Sequence, residues 1–274
     1  MAEPDYLSLA KKRGGTPSRR KSYRKIFVYG RNKKGKTRLG LTPGRDNVLV
    51  VDPEEGTSIM KSSDPFVWWV EDWHGMQEVY GALRTGKLSP NHLVQGESST
   101  PFDWVSVDGL TKLNNMALKY VMKQQEKNDL DRIPGMVQQR DYGKSGELMK
   151  TMILNFQSLK MNVYYTSQEK MMSEGITFDD DEDAEDSDAY YVPDLPNAVR
   201  GYMNSQAEVV GRLYVVNVES TKTPGKMIRQ RRLQIGLHEK YDTGFRSDFA
   251  LPDMIKKPTL PMLAALMEQG ATNG

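Results

Sequence analysis

The sequence contains no cysteine among its 274 residues. Disulfide bonds and thiolate metal sites are therefore excluded, and the composition fits a reducing cytoplasm. The three histidines, His74, His92 and His238, lie far apart and lack the spacing of a metal-ligand set. No apolar run approaches the roughly 18 residues of a membrane-spanning helix, and the N-terminal region lacks the apolar core of a secretory signal. We therefore expect a cytoplasmic protein that makes no membrane contact.

The net charge of +2 conceals a strong segregation of charge. Residues 1–25 carry eight Lys and Arg against two acids, whereas residues 179–188 carry eight acids. Like charges repel each other and favour disorder. We predict a basic flexible arm over 1–24, one domain over 25–268 with an acidic disordered insert at about 173–189, and a flexible tail over 269–274. The arm is either a contact for a phosphate backbone or a leader without a function.

The most informative stretch is KIFVYGRNKKGKT, residues 25–37. Ile26–Tyr29 is an apolar run typical of a buried strand, and the residues after it match G-x-x-x-x-G-K-[ST], the phosphate-binding loop or P-loop. Gly30 and Gly35 permit a close backbone approach, so that the loop amides can surround a phosphate. Lys36 would reach the β- and γ-phosphates, and the Thr37 hydroxyl would bind Mg²⁺. The sequence therefore predicts an ATP site.

Two further strands are predicted to end in acids. Residues 47–52 form a continuous apolar run, which favours a strand buried on both faces of a parallel sheet, and Glu54 and Glu55 follow it. One of these glutamates is a candidate general base for the attack of water on a γ-phosphate, and a solvated turn is the alternative. Residues 102–108 form the second strand, whose last residue, Asp108, is the candidate that supports Mg²⁺.

Residues 161–169 are predicted to form a further strand that ends in polar residues. Gln168, near its end, is a candidate sensor of the γ-phosphate, and ordinary strand-end polarity is the alternative. The remaining pattern predicts strands at 65–70 and 211–218, with 231–237 completing a C-terminal hairpin. It predicts helices at 76–83, 110–125, 147–159, 197–210 and 262–269, and loops or turns at 88–101 and 126–146.

In this order, the parts resemble the phage-encoded RecA-like P-loop ATPases, the group that includes single-strand annealing recombination proteins. The likeness covers residues 25–268 and rests on the P-loop, VLVVDPEEGT, WVSVDGLT, the unit from RDYG to TSQE, YYVPDLPNAVRGYMNS and HEKYDTGFR. The fold implied is an α/β RecA-like core with a mostly parallel central sheet, flanking helices and a C-terminal β-hairpin.

The resemblance also implies roles for individual residues. Glu54 takes the place of the glutamate that activates water, and Gln168 that of the glutamine that leads into a DNA-binding loop. Lys240 and Arg246 are similar to basic residues that reach the nucleotide of a neighbouring subunit. Asp242-Thr243-Gly244 widens the gap between them, so the sequence leaves open which of the two acts in trans. The backbone of the loop centre would hold phosphates, while its side chains face a neighbouring subunit or DNA: Arg31, Asn32, Lys33 and Lys34.

The function implied is an ATP- and Mg²⁺-dependent RecA-like protein that binds single-stranded DNA and promotes phage DNA recombination or strand annealing. The implied partners are single-stranded DNA, further copies of the chain in a ring or filament, and a phage single-strand-binding protein, in the host cytoplasm. Loops after Val107 and Gln168 would grip DNA, and Tyr142, Tyr164 or Tyr165 would stack on bases. The alternative is a nucleotide-switched scaffold or loader for replication proteins with little DNA binding of its own.

Overall fold

The computed structural model describes residues 5–16, 21–129, 131–173 and 189–269. The strands within these residues are β1 (Lys25–Tyr29), β2 (Val48–Asp52), β3 (Phe66–Trp69), β4 (Trp104–Asp108), β5 (Asn162–Ser167), β6 (Glu169–Ser173), β7 (Ala189–Pro193), β8 (Val209–Glu219), β9 (Met227–Gln234), β10 (Gly244–Phe245) and β11 (Met254–Lys256). The helices are α1 (Tyr6–Arg13), α2 (Lys36–Gly40), α3 (Trp73–Arg84), α4 (Pro90–Leu93), α5 (Leu110–Asn128), α6 (Gln139–Gln157), α7 (Asn197–Gln206) and α8 (Leu260–Gln269).

One large sheet has the strand order β11-β9-β8-β1-β5-β4-β2-β3, and β10 also pairs with β8. The six strands from β8 to β3 are parallel, whereas β9, β10 and β11 pair in antiparallel fashion. β5 lies between β1 and β4, with Tyr165 opposite both Phe27 and Val107. The carboxyl ends of these parallel strands therefore meet at one edge of the sheet.

Helices cover both faces of the sheet, because alternate residues of a strand point to opposite sides. Phe27 and Tyr29 of β1 belong to a large core with α3, α5, α6 and α7. Ile26 and Val28 belong to a second core that includes Leu39 of α2 and several residues of α8. Every residue of β1, β2 and β4 is buried, as their continuous apolar runs predict. The predicted mostly parallel, helix-flanked sheet is confirmed, and so is the C-terminal hairpin of β8 and β9.

Two predictions of loop structure are wrong. α4 interrupts the stretch 88–101, and α6 begins at Gln139 although 126–146 reads as a series of turns. A capping box at Gln138 starts α6, and the fully buried Asp141 in its first turn pairs with the equally buried Arg132. The ion pair and the cap stabilise a helix start that the local glycines do not favour.

The predicted N-terminal arm, acidic insert and C-terminal tail each lie at least partly outside the described residues. In the N-terminal arm, α1 has no buried residue. Almost all of the predicted acidic insert, residues 174–188, and the tail residues 270–274 lie outside the described residues. On either side of the insert, β6 and β7 pair in antiparallel fashion as a separate two-stranded sheet. The stretch after Gln168 is therefore a strand for its first five residues.

Candidate nucleotide-binding site

A cleft of about 670 Å³ lies at the carboxyl edge of the parallel strands. β1, β2, β4 and β5 each contribute the residues that follow or end the strand, as expected for ligand sites in open α/β sheets. The cleft brings together predicted site residues that are far apart in sequence: Asn32, Lys33, Gly35, Lys36, Thr37, Glu54, Asp108 and Gln168. The topology therefore assembles a P-loop, carboxylates and a strand-end glutamine around one cavity.

The P-loop has a conformation that depends on its glycines. Gly35, the residue before α2, has a φ of 98°, and Lys33 also has a positive φ, of 62°. A Cβ atom at Gly35 would collide with the Arg231 side chain, and one at Gly30 would collide with the Leu213 carbonyl oxygen. Gly30 is thus required by a close contact with backbone, and Gly35 by its positive φ, because the Arg231 side chain could move away.

Lys36 lies inside the loop. Its Nζ donates to the carbonyl oxygens of Gly30 at 2.7 Å and Arg31 at 3.1 Å. Burial lowers the pKa of Lys36, and the neighbouring carboxylates of Asp108 and Glu54 oppose that shift. An ammonium group in this position can exchange a carbonyl partner for a phosphate oxygen without leaving the loop.

Asp108 ends β4 beside two threonine hydroxyls. Thr166 Oγ1 donates to Asp108 Oδ1 at 2.6 Å, and Thr37 also hydrogen-bonds to the same carboxyl group. Burial raises the pKa of Asp108, whereas these two hydroxyls lower it. A buried carboxylate next to the Thr37 hydroxyl is an oxygen donor set that suits Mg²⁺, which keeps several waters and phosphate oxygens as further ligands. The described residues contain no group of three or more His, Cys, Asp or Glu side chains that could hold a metal ion by themselves.

Glu54 faces the cleft above the end of β4. A Cβ atom at Gly109 would lie 2.7 Å from Glu54 Oε1, so this glycine makes room for the carboxylate. Burial and the nearby Asp108 raise the pKa of Glu54, and Lys36 lowers it. Asp52 fixes the turn, because its carboxylate accepts from the backbone N–H groups of Glu54 at 2.9 Å and Thr57 at 2.8 Å. Of the two glutamates after β2, only Glu54 lines the cleft.

Gln168 connects the cleft to the second sheet. The residue lines the cleft, its backbone N–H donates to Thr111 Oγ1 at 3.1 Å, and its carbonyl accepts from the Asp194 N–H at 2.8 Å. The next residue, Glu169, is buried and pairs with Arg212 at 2.9 Å and with Arg31 of the P-loop at 3.3 Å. The P-loop and the start of β6 are therefore joined by an ion-pair network.

Sequence reasoning did not identify Glu169, Arg212 or Arg231 as site residues. Glu169 appears in the sequence as the polar end of a strand, and the two arginines lie more than 40 residues later. Arg231 Nε donates to the Lys34 carbonyl oxygen at 3.3 Å, a contact that depends on the β8–β9 hairpin folding back beside the P-loop. The run of arginines near 229–232 was the available signal, but a charge run does not indicate which loop it meets.

Lys240 and Arg246 are not among the residues that line the cleft. Arg246 Nη2 donates to the carbonyl oxygens of residues 205–207, at the C-terminal end of α7. The Lys240 side chain is exposed.

Two of the three tyrosines that were predicted to stack on bases are not accessible. Tyr164 and Tyr165 are fully buried, so that prediction is wrong for them, whereas Tyr142 is 58% exposed.

The parallel sheet, the P-loop after its first strand and the acids at neighbouring strand ends define a P-loop ATPase with a RecA-like core. A family model described as "AAA domain" matches residues 22–247, and the chain belongs to this family. The predicted fold class is thereby confirmed. No curated protein matches the sequence significantly.

Two solved structures are among those that the chain matches. The KaiC-like protein PH0186 from Pyrococcus horikoshii OT3 is 9% identical, with a TM-score of 0.38 over 86% of this chain and 92% of that one. The flagellar accessory protein FlaH from Methanocaldococcus jannaschii is 12% identical, with a TM-score of 0.33 over 89% of this chain and 90% of that one. Within the described residues, no helix is both long and apolar enough to span a membrane.

Proposed function

We propose that this protein hydrolyses ATP with Mg²⁺, binds single-stranded DNA in an ATP-dependent manner, and promotes phage DNA recombination or strand annealing. The observation that carries the proposal is the position of Gln168. It lines the nucleotide cleft and leads directly into β6, so a change at the γ-phosphate can reach an element outside the central sheet.

The P-loop, Asp108 and Glu54 have separate tasks in hydrolysis. The P-loop amides and Lys36 orient the triphosphate, while Thr37 and Asp108 hold Mg²⁺. The ion, when bound, neutralises charge on the β- and γ-phosphate oxygens. Glu54 accepts the proton of the attacking water, and its raised pKa makes it a stronger base than an exposed glutamate.

The link from ATP to DNA runs through the ion pairs of Glu169. Because Glu169 contacts Arg31 of the P-loop and Arg212 of β8, nucleotide binding that moves Arg31 changes the partners of a residue at the start of β6. Arg212 also stacks on the rings of Tyr191 in β7 and Tyr241. Only Gly109 lies between β4 and α5, so the prediction of a DNA-binding loop after Val107 is wrong. We infer that the β6–β7 pair takes up its DNA-binding arrangement only with ATP bound.

We further propose that nucleotide lies between subunits of a homo-oligomer, with Lys240 acting in trans. The Arg246 guanidinium is occupied by three helix-terminal carbonyls. The Lys240 ammonium has no hydrogen-bond or salt-bridge partner within the described part of the chain and is exposed. Lys240 is therefore the better placed of the two to reach a neighbouring phosphate.

The ATPase rate with and without single-stranded DNA tests the function, using wild type, Glu54→Gln and the matched variant Glu55→Gln. We expect DNA to stimulate the wild type, Glu54→Gln to lower kcat by about 10²- to 10⁴-fold, and Glu55→Gln to have little effect. Nucleotide binding should survive in both variants. If single-stranded DNA does not change the wild-type ATPase rate, the scaffold alternative is favoured. Equal losses of kcat in Glu54→Gln and Glu55→Gln would refute the role of Glu54.

Mixing two inactive variants tests the oligomer. Lys36→Ala and Lys240→Ala subunits should each be inactive alone, since one lacks the phosphate contact and the other the trans contact. Mixed oligomers contain interfaces in which both lysines are intact, so we expect part of the activity to return. If the mixture stays inactive although light scattering shows mixed oligomers, Lys240 does not act in trans.

A further inference from the structure

A second cavity of about 770 Å³ lies beside the nucleotide cleft, between the P-loop and the β8–β9 hairpin. We call it the basic groove, and it is lined by five cationic side chains: Lys33, Lys34, Arg229, Arg231 and Lys257. The other lining residues are polar or apolar, and none is acidic. The groove is thus positively charged along its length, in a protein whose net charge is only +2.

The cations come from three elements that the fold brings together. Arg229 and Arg231 are two residues apart in β9 and project to the same face, roughly 7 Å apart along the strand. They lie opposite Asn217 and Val215 of β8, which line the same groove. The backbone N–H of Lys257 donates to the Arg231 carbonyl oxygen at 2.9 Å, which places Lys257 beside them.

Several arginines elsewhere in the described part of the chain pair with carboxylates. Arg212 pairs with Glu169, Arg132 with Asp141, and Arg45 with Glu97. In the described part of the chain, the five groove cations form no salt bridge. A concave surface with several uncompensated cations attracts a polyanion and holds it through phosphate contacts.

The nucleotide itself does not account for the groove. The P-loop amides and Lys36 already provide for the triphosphate, and the nucleoside end of ATP carries no charge. Lys33 and Arg231 line both cavities, so the basic groove shares a wall with the cleft. Arg231 also donates to the Lys34 carbonyl of the P-loop, so its position depends on the loop that binds ATP.

We propose that the basic groove binds the phosphate backbone of single-stranded DNA, in addition to any contact made by the β6–β7 pair. The proposal rests on the function proposed above and gives it a specific surface. An extended strand fits because Arg229 and Arg231 lie roughly 7 Å apart along β9, a spacing similar to that of successive phosphates. The groove reads no bases, so binding there is independent of sequence.

The test compares Arg229→Gln/Lys257→Gln with a matched double variant, Lys222→Gln/Lys226→Gln. The matched pair removes the same charge from exposed positions near the hairpin turn, outside the groove. Affinity for a fluorescent oligothymidylate is measured by anisotropy with a non-hydrolysable ATP analogue and Mg²⁺, over a series of salt concentrations. A fluorescent ATP analogue reports nucleotide binding in parallel, and melting temperatures report folding.

We expect the groove variant to bind oligothymidylate roughly tenfold more weakly, with a salt slope lower by about 1.4, as for two lost phosphate contacts. The matched variant should resemble the wild type, and all three proteins should bind the ATP analogue equally. Equal weakening in both double variants would show a general charge effect and overturn the proposal. Weakened binding of the ATP analogue in the groove variant alone would assign the groove to the nucleoside instead.

The two proposals fail in different ways. If the wild type binds the ATP analogue but not oligothymidylate, the DNA-binding function is wrong and the groove proposal falls with it. If the wild type binds oligothymidylate and the groove variant binds it as tightly, only the groove proposal is wrong.

Discussion

The two edges of the central sheet use polar residues in opposite ways. At the carboxyl edge, the side chains of Lys36, Glu54 and Asp108 face an open cleft. At the amino edge, Lys25 Nζ donates to three carbonyl oxygens of residues 156–161, and the Lys25 N–H donates to Glu208 at 2.9 Å. The polar groups of Lys25 at the amino edge thus hold the fold together, whereas Lys36, Glu54 and Asp108 at the carboxyl edge remain available to a ligand.

Among the substitutions that contrast the two edges, the largest effect should come from Lys36→Ala. Removing the ammonium takes away the main cationic contact to the phosphates, so we expect ATP hydrolysis to fall by on the order of 10³-fold, which is about 4 kcal/mol. The melting temperature should stay close to that of the wild type, because the lysine contacts only loop carbonyls.

Lys87→Ala, which removes the same charge at an exposed position, is the control for Lys36→Ala. ATPase assays report the contribution of Lys36 to hydrolysis, and thermal melts report its contribution to folding. Lost folding in Lys36→Ala would contradict the contrast between the edges, and so would retained hydrolysis.

Lys25, at the amino edge, should make the free energy of unfolding depend on pH. Burial lowers the pKa of Lys25 from 10.5 to about 8. Between these values the unfolded chain binds more protons than the folded one, so the free energy of unfolding should rise as pH rises from about 8 to 10.5. The rise attributable to Lys25 is at most about 3 kcal/mol, and below pH 8 the cost of burying the charge is fully present.

Denaturant unfolding of wild type and Lys25→Met across this pH range measures the effect as a difference, in which other titrating groups cancel. ATP binding should not differ between the two proteins at any pH where both are folded. A constant difference in stability would show that the Lys25 pKa is not lowered.

At the carboxyl edge, Asp108→Asn should slow ATP hydrolysis without lowering the stability of the fold. The amide still accepts from Thr166 but lacks the charge that holds Mg²⁺, so we expect hydrolysis to fall by about 100-fold, or about 2.7 kcal/mol. Because burial disfavours the Asp108 carboxylate, the variant should melt at the same or a higher temperature in Mg²⁺-free buffer. A lower melting temperature would show that Asp108 is a structural carboxylate like Asp52.

Local sequence patterns were sufficient for the parts that depend on neighbouring residues. The apolar runs identified β1, β2 and β4, and the P-loop motif located Lys36 and Thr37, because spacing along the chain determines both. The start of α6 was missed, since it depends on a buried Arg132–Asp141 pair. Glu169 and Arg231 were missed for the same reason, because their partners Arg212, Arg31 and Lys34 come from distant elements.

The smallest effect should come from changing Lys33 and Lys34 to Ala together. The backbone of the loop holds the phosphates, so removal of these two side chains should change the affinity for the ATP analogue by less than about 0.5 kcal/mol. Lys33 has a φ of 62°, which alanine tolerates as poorly as lysine, so the loop conformation should be retained. Affinity for oligothymidylate should fall in the same variant, because both side chains line the basic groove. Loss of ATP binding would instead place these lysines among the phosphate ligands of the cleft, and the basic groove would then have only Arg229, Arg231 and Lys257 as cations for a second ligand.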